Sequence, residues 1–204
     1  MIKNVIFDLG NVVLKLKWDI VLNRYTNDPE TKELLTRVIF DSQEWKDLDM
    51  GTIEKDKALG LMLSKLPVYL HDACKGIMAE WTDALVINNN IINLLQNLRN
   101  NGYKTYILSN APHEIPPFLT SKELDKYFDG QIISAQEKVS KPDSKIYDIL
   151  LERYNLTAQE SLFLDDKKEN IEAAIDANIN GIVYDYNNHE NMLAELDRYE
   201  VNYN

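Results

Sequence analysis

Five short apolar runs, each bounded by polar, glycine or asparagine residues, do most to constrain what this chain can fold into. Runs of this length and composition are typical of buried strands. Between the later runs the apolar residues follow helical spacing, as from Ile91 to Leu98 before the Asn101-Gly102 pair, and again from Ile146 to Tyr154. The five runs are Asn4 to Asp8, Lys104 to Ser109, Gln131 to Ser134, Ser161 to Asp165 and Gly181 to Tyr184.

Strand alternating with helix over residues 88–204 predicts an α/β fold of three layers, in which helices cover both faces of a doubly wound parallel sheet. In this Rossmann-like arrangement, ligands bind beyond the carboxyl ends of the strands. We therefore expect an active site at that edge of the sheet.

The interval between the first and second runs has a different character, because residues from about Lys15 to Val86 show no convincing strand. Helical patterns occupy it instead, and it is too long for a single crossover connection. We predict a core domain of residues 1–14 and 87–204, and an inserted helical cap domain of residues 15–86 that stands over the end of the first strand. The helical patterns lie at Pro29 to Phe40, Thr52 to Leu66 and His71 to Leu85.

Charge and apolar content argue against several classes of function. A net charge of −11, from 33 acidic and 22 basic side chains, leaves no broad positive surface for nucleic acid or anionic lipid. No apolar run approaches the roughly 20 residues that span a bilayer, and the single cysteine, Cys74, cannot form an intrachain disulfide. We therefore predict a soluble cytoplasmic protein with no nucleic-acid or membrane partner.

Polar side chains follow the apolar runs at the points where the predicted strands end. Asp8 follows Val5-Ile6-Phe7, and an aspartate pair follows Leu162-Phe163-Leu164 in the same manner. Because the carboxyl ends of parallel strands meet at one edge of a sheet, we expect these groups to share one crevice. The set consists of Asp8, Ser109, Asn110, Lys141, Asp165 and Asp166.

Three carboxylates in one crevice repel one another by roughly 4 kcal/mol per close pair at an effective dielectric constant of about 20. Lys141 alone does not offset this repulsion, whereas a divalent cation removes it. Ligation by Asp8 and Asp166, completed by water, suits Mg²⁺, because Zn²⁺ usually recruits His or Cys. The three histidines form no ligand cluster. We therefore predict Mg²⁺ as the cofactor.

Four ordered motifs in this chain resemble those of the haloacid dehalogenase-like hydrolase superfamily. The resemblance covers the whole chain, and the insertion is similar to the helical cap of the superfamily's first cap type. The Asp-Leu-Gly-Asn-Val form of the first motif most resembles bacterial phosphatases that act on α-glucose 1-phosphate. The motifs are Phe7-Asp8-Leu9-Gly10-Asn11-Val12, Leu108-Ser109-Asn110, Ser140-Lys141-Pro142-Asp143 and Phe163-Leu164-Asp165-Asp166.

The resemblance implies a phosphatase acting on a small phosphate ester, such as a hexose 1-phosphate. Asp8 would attack phosphorus and form an aspartyl-phosphate, which water then hydrolyses. Ser109 and Asn110 would donate hydrogen bonds to phosphoryl oxygens. Lys141 would neutralise the phosphoryl charge and keep Asp8 ionised.

The resemblance also implies a ligand set for the metal. Asp8, Asp166 and the backbone carbonyl of Gly10 would ligate Mg²⁺. Asp165 and Asn170 would lie behind these ligands or bind the metal through water. Asn170 stands where the family more often has Asp, so its role is the one that departs from the pattern.

Gly10 marks the main departure, because most phosphatases of this superfamily carry a second Asp two positions after the nucleophile. That Asp protonates the leaving oxygen, and such general acids typically contribute about 10²- to 10⁴-fold in rate. One explanation is a substrate with a relatively acidic leaving group, such as the anomeric hydroxyl of a sugar 1-phosphate. Another is that Asn11, a cap residue such as His71, or an ordered water replaces the missing acid.

Other functional classes stay open at this point. A catalytically silent phosphometabolite-binding protein would keep the pocket and lose turnover. A dehalogenase is disfavoured because Asp165 and Asp166 are retained, and a mutase because it depends on the missing acid. A receiver domain would place its acidic pair first in the chain. Specificity is expected in the cap, where Trp18, Trp45, Trp81, Arg24, Lys46 and Asp47 are candidates and the tryptophans are favoured as cap core.

Overall fold

A five-stranded parallel sheet forms the centre of the molecule in the computed structural model, which describes residues 1–204. Its strand order is β5-β4-β1-β6-β7, so the first strand lies in the middle of the sheet. Two further strands, β2 and β3, form a separate antiparallel ribbon. The strands are β1 (Asn4–Phe7), β2 (Leu14–Leu16), β3 (Leu85–Ile87), β4 (Lys104–Ser109), β5 (Gly130–Ile133), β6 (Ser161–Asp165) and β7 (Asn180–Val183).

Eleven α-helices accompany the strands, and four short 3₁₀ helices lie at residues 68–70, 81–84, 125–127 and 158–160. The helices are α1 (Asp19–Leu22), α2 (Pro29–Ile39), α3 (Gln43–Asp49), α4 (Lys55–Ser64), α5 (His71–Glu80), α6 (Asn89–Asn100), α7 (Ile115–Ser121), α8 (Ser134–Glu137), α9 (Ser144–Tyr154), α10 (Lys168–Asp176) and α11 (His189–Arg198).

The two faces of the sheet are covered by different helices. Ile6 of β1 packs in one apolar cluster with residues of α9 and α10. Its neighbours Val5 and Phe7 point to the opposite face and join the larger cluster, which includes residues of α6, α11 and the cap helices. The predicted three-layer α/β fold is therefore confirmed, and every predicted strand lies within one residue of its observed bounds.

The β2–β3 ribbon corrects one expectation, because residues 15–86 were predicted to contain no strand. Leu14 pairs with Ile87 and Leu16 pairs with Leu85, so the ribbon ties together the two ends of the helical insertion. Each strand has only three residues, which is too short for alternation to reveal. The domain boundaries predicted from sequence fall within this ribbon, and we propose the ribbon as the junction between core and cap.

Helices α1 to α5 pack around an aromatic cluster in the cap. Trp18 stacks on Phe40 with ring centroids 3.8 Å apart, and Trp45 meets both of these rings and Trp81 edge-on. The tryptophans thus belong mainly to the cap core, as the sequence favoured. The helix expected from His71 to Leu85 stops at Glu80 and continues as a 3₁₀ turn into β3. None of the protein's helices combines the length and apolar character needed to cross a membrane, and the cytoplasmic location stays a prediction.

Candidate active site

The nucleophile candidate, Asp8, directly follows β1. Its backbone N–H donates to the carbonyl of Leu164 at 2.9 Å, which holds the end of β1 against β6. The N–H of Leu9 donates to Oδ1 of Asp8 at 2.7 Å and orients the carboxylate. The chain then turns, with Asn11 in the left-handed region at φ +54°. An apolar strand thus delivers one carboxylate to the edge of the sheet.

Lys141 lies buried between two of the predicted carboxylates. Its Nζ is 3.0 Å from Oδ1 of Asp8 and 2.6 Å from Oδ2 of Asp165, and it donates to the carbonyl of Leu108 at 2.8 Å. Burial disfavours its charge, but the two aspartates outweigh burial and raise the pKa of Lys141 above its ordinary value. The ammonium is therefore charged at every pH at which the protein would work.

Asn110 fixes the backbone of Lys141 through a reciprocal pair of hydrogen bonds. Its Nδ2 donates to the Lys141 carbonyl, its Oδ1 accepts from the Lys141 N–H, and both distances are 2.8 Å. One hydrogen of the amide remains for another acceptor. The structure therefore gives Asn110 a positioning role, and its predicted donation to phosphate stays a prediction.

Asp165 has no exposed surface and is fully engaged by protein donors. Besides Lys141, it accepts from the Lys167 N–H at 2.8 Å and from Nδ2 of Asn170 at 3.0 and 2.9 Å. An amide at position 170 donates to this buried carboxylate, whereas an aspartate there would repel it. Asp165 thus holds Lys141 in place, and Asn170 supports Asp165 without adding a negative charge. The placement of both residues behind the metal ligands stays a prediction.

Asp166 points into the crevice beside Asp8, and Nδ2 of Asn11 donates to its Oδ2 at 3.0 Å. Burial, and to a lesser degree the charge of Asp165, raise the pKa of Asp166, although Asn11 opposes the shift. Burial likewise raises the pKa of Asp8, from 3.8 to about 6. The negative charge of Asp165 raises this pKa further, and the positive charge of Lys141 offsets only part of the increase. Lys141 and the hydroxyl of Ser109 both act to lower it.

This donor set fits a divalent cation. Asp8, Asp165 and Asp166 each offer an oxygen within 4.8 Å of the others. Asp165 is already engaged by protein donors, so Asp8 and Asp166 are the carboxylates that remain available to a cation, and their role as ligands stays a prediction. Gly10 lines the same crevice, and its carbonyl oxygen accepts no hydrogen bond from the protein. Oxygen atoms alone, two of them carboxylate, are the ligands that hard divalent cations prefer.

A cavity of about 420 Å³ opens above Asp8, a size within the range of small-molecule sites. Its core side holds most of the predicted site residues, and its other wall is formed by the cap. Lys46 and Asp47 reach it as expected. Arg24 pairs with Glu80 and Asp83 elsewhere on the cap. The cap contributes Leu16, Gln43, Lys46, Asp47, Asp49 and Met50 to the lining.

A second, apolar cavity of about 90 Å³ adjoins the first. The two share Gly10, Leu16, Asp49 and Asn110, and the smaller one runs towards the three tryptophans of the cap. Asp49 was not among the residues singled out in the sequence, because nothing near it in the chain distinguishes it from any aspartate at a helix end.

A comparison with protein-family models shows the family to which this fold and these motifs belong. The family model of the haloacid dehalogenase-like hydrolases matches residues 2–178. The chain belongs to this family. The predicted membership is thus confirmed, and with it the prediction that the chain is a hydrolase.

Relatives of this haloacid dehalogenase-like hydrolase include two phosphatases. A sesquiterpene phosphatase from Aspergillus oryzae is 29% identical over 175 residues, 84% of each chain. A phosphorylated carbohydrates phosphatase from Thermotoga maritima is 27% identical over 201 residues, 93% of this chain and 89% of the relative. A family enzyme from Bacteroides thetaiotaomicron, solved with magnesium and inorganic phosphate, superposes with a TM-score of 0.69 at 22% identity and covers 91% of this chain and 96% of its own.

Proposed function

We propose that this hydrolase is a Mg²⁺-dependent phosphatase of a small phosphorylated metabolite, with a hexose 1-phosphate as the best-supported substrate. The observation that carries the proposal is the placement of Asp8, which lies 3.0 Å from a buried ammonium and within 4.8 Å of a second carboxylate, all three lining one cavity. This arrangement offers a nucleophile, a phosphate-neutralising cation and an oxygen ligand set within one crevice.

The reaction assigns one task to each group. A carboxylate oxygen of Asp8 attacks phosphorus, the ester P–O bond breaks, and an aspartyl-phosphate forms. Attack by water on that phosphorus releases phosphate and restores Asp8. Lys141 and Ser109 stabilise the charge on the phosphoryl oxygens, and Asp165 holds Lys141 in position. Asp8, Asp166 and the Gly10 carbonyl would hold Mg²⁺, which would supply further charge stabilisation.

The polarity of the larger cavity supports a sugar as the leaving group. Gln43, Lys46 and Asp47 line its cap wall and can exchange hydrogen bonds with hydroxyl groups. The relative from Thermotoga maritima, named for phosphorylated carbohydrates, agrees with this assignment. The Asp-Leu-Gly-Asn-Val form of the first motif supports a 1-phosphate, because it resembles that of phosphatases acting on α-glucose 1-phosphate.

A hydrocarbon phosphate is the second candidate substrate. The Aspergillus oryzae relative is named for a sesquiterpene, and the smaller cavity is lined by nine apolar residues. That cavity holds only about 90 Å³, below the roughly 300 Å³ at which small-molecule sites begin. The polar candidate is therefore the stronger one.

A phosphate-release screen with and without Mg²⁺ tests the proposal, repeated with Asp8→Asn and with exposed Asp148→Asn as the matched control. We expect release with Mg²⁺, a loss of at least ~10³-fold in Asp8→Asn, and unchanged activity in the control. Faster release from hexose 6-phosphates than from 1-phosphates would reject the anomeric assignment. Binding of these esters without any release would identify a silent binding protein instead.

A further inference from the structure

The missing acid at Gly10 leaves a gap in proton transfer that neither of the two expected side chains, Asn11 and His71, fills. Asn11 donates its amide to Asp166 and carries no acidic proton. His71 contacts the carbonyl of Leu66 at 3.1 Å and does not line the cavity. A replacement must therefore be sought among the other groups that face the reacting phosphorus.

Asp49 is the one carboxyl of the cap that borders both cavities. It is the last residue of α3 and, like Gly10, lines both the larger cavity above Asp8 and the smaller apolar cavity. No protein group donates a hydrogen bond to its carboxyl group, so both oxygens are available to a ligand. Asp47, by contrast, already accepts from Gln43 at 2.8 Å.

The backbone around Asp49 is fastened to the core. The Ser134 hydroxyl at the end of β5 donates to the Asp49 carbonyl, and Oγ of Ser140 lies 3.7 Å from Sδ of Met50. Gly51 has φ +67°, and a Cβ there would lie 2.2 Å from the carbonyl oxygen of Ala135. This close approach holds the end of α3, and with it Asp49, against the core beside the active site.

The surroundings of Asp49 favour its protonated form. Burial raises its pKa well above the ordinary value; the charges of Asp8 and Glu114 add to this effect, and Lys167 opposes it. A carboxyl with a raised pKa holds its proton to higher pH than an ordinary aspartate and can donate it to a leaving oxygen.

We propose that Asp49 is the general acid and base of this phosphatase, supplied by the cap in place of the side chain absent at Gly10. The inference rests on the proposed function and concerns the same site. As the ester P–O bond breaks, the Asp49 proton moves to the leaving oxygen and the alcohol departs. The Asp49 carboxylate then takes a proton from the water that attacks the aspartyl-phosphate, so that phosphate leaves and both aspartates regain their starting states.

A comparison of two leaving groups tests the role. Asp49→Asn is assayed with Mg²⁺ on the better of hexose 1-phosphate and 6-phosphate, and on 4-nitrophenyl phosphate, whose leaving group needs no proton. The two esters are compared by kcat/KM, because this constant reports only the steps up to release of the alcohol. Hydrolysis of the phosphoenzyme does not affect it. We expect a fall of about 10²- to 10⁴-fold on the sugar ester and less than about tenfold on the aryl ester.

Loss of the base should also slow the second half of the reaction. Acid-quenched Asp49→Asn exposed to 4-nitrophenyl phosphate should carry the mass of one added phosphoryl group, which wild type should not accumulate. Equal falls on both esters would overturn the proposal and show that Asp49 only positions the substrate. Unchanged activity on both would overturn it as well.

Controls separate failure of this inference from failure of the proposed function. Asp56→Asn makes the same change at an exposed cap position outside both cavities and should match wild type on both esters. A wild-type protein that releases phosphate from neither ester would reject the phosphatase itself. Release by wild type together with an Asp49→Asn variant that shows no leaving-group dependence would reject only the role of Asp49.

Discussion

The ammonium of Lys141 lies 3.0 Å from Oδ1 of Asp8, with both side chains almost completely buried. Asp165 approaches the same ammonium from the other side at 2.6 Å. Removing one partner of a buried ion pair typically costs about 3 to 5 kcal/mol, because an uncompensated charge remains. Lys141 is therefore as much a structural residue as a phosphate-binding one.

Lys141→Met should lower the free energy of unfolding by about 3 to 5 kcal/mol at neutral pH. The loss should be smaller at pH 5, where the orphaned carboxylates can take up protons. Urea denaturation at both pH values measures the effect, and exposed Lys145→Met serves as the control. A loss of similar size in both variants would contradict the role of the buried charge.

Asp8→Asn should stabilise the metal-free protein at pH 7. The folded-state pKa of Asp8 is about 6, raised from 3.8 chiefly by burial. This group therefore contributes fully to the free energy of unfolding below pH 4, and the contribution is lost as pH rises through 6. The variant avoids that loss and should gain on the order of 2 to 3 kcal/mol at pH 7. Urea denaturation in EDTA should show the gain at pH 7 and its disappearance near pH 4.

Asn170→Asp should destabilise the protein when no metal is bound. The new carboxylate replaces the two hydrogen bonds that Asn170 donates to Asp165 and adds a repulsion of roughly 4 kcal/mol at close range. Thermal unfolding in EDTA should show the loss, and added Mg²⁺ should recover part of it. Asn191→Asp makes the same change at an exposed position, and its free energy of unfolding should stay within about 0.5 kcal/mol of that of wild type.

The core of this site could be predicted because its signals are local. Asp8 and Asp165 each follow a short apolar run, and the parallel sheet then brings the strand ends together. The β2–β3 ribbon could not be predicted in this way. Its pairing joins Leu14 to Ile87 across the entire cap, and three residues carry no readable alternation.

The cap side of the site was beyond sequence reasoning for a related reason. Helix α3 has only seven residues, about two turns, which is too short for a repeating apolar pattern to stand out. The local signal for this helix is Ser42, whose side chain accepts from the Trp45 N–H. The role of Asp49 depends on contacts with Ser134 and Ala135, which lie in the core and far along the chain. Such contacts exist only in the folded molecule.

Gly51→Ala should separate the cap tip from the core. The positive φ and the clash with the Ala135 carbonyl should together cost roughly 2 kcal/mol or more. Hydrolysis of the sugar phosphate should fall with stability, because the same contact positions Asp49. Gly60→Ala, inside α4, is the matched control, because a Cβ there meets nothing within 4 Å. This change should raise the free energy of unfolding by about 0.5 to 1 kcal/mol. Urea denaturation and kcat/KM on both variants check these expectations.

Gly10→Asp should restore proton transfer that Asp49→Asn has removed. A Cβ at position 10 has only Cδ1 of Leu16 nearby, at 3.8 Å, so the first atom of a side chain fits without displacing backbone. The carboxyl would enter the boundary between the two cavities, where Asp49 now lies. The double variant should therefore regain at least about tenfold in kcat/KM on the sugar phosphate relative to Asp49→Asn, a small part of the range that general acids provide. Gly10→Asn in the same background has the same size and no acidic proton, and it should regain nothing. Equal recovery by the amide would show that the pocket needs a polar contact at this position and not an acid.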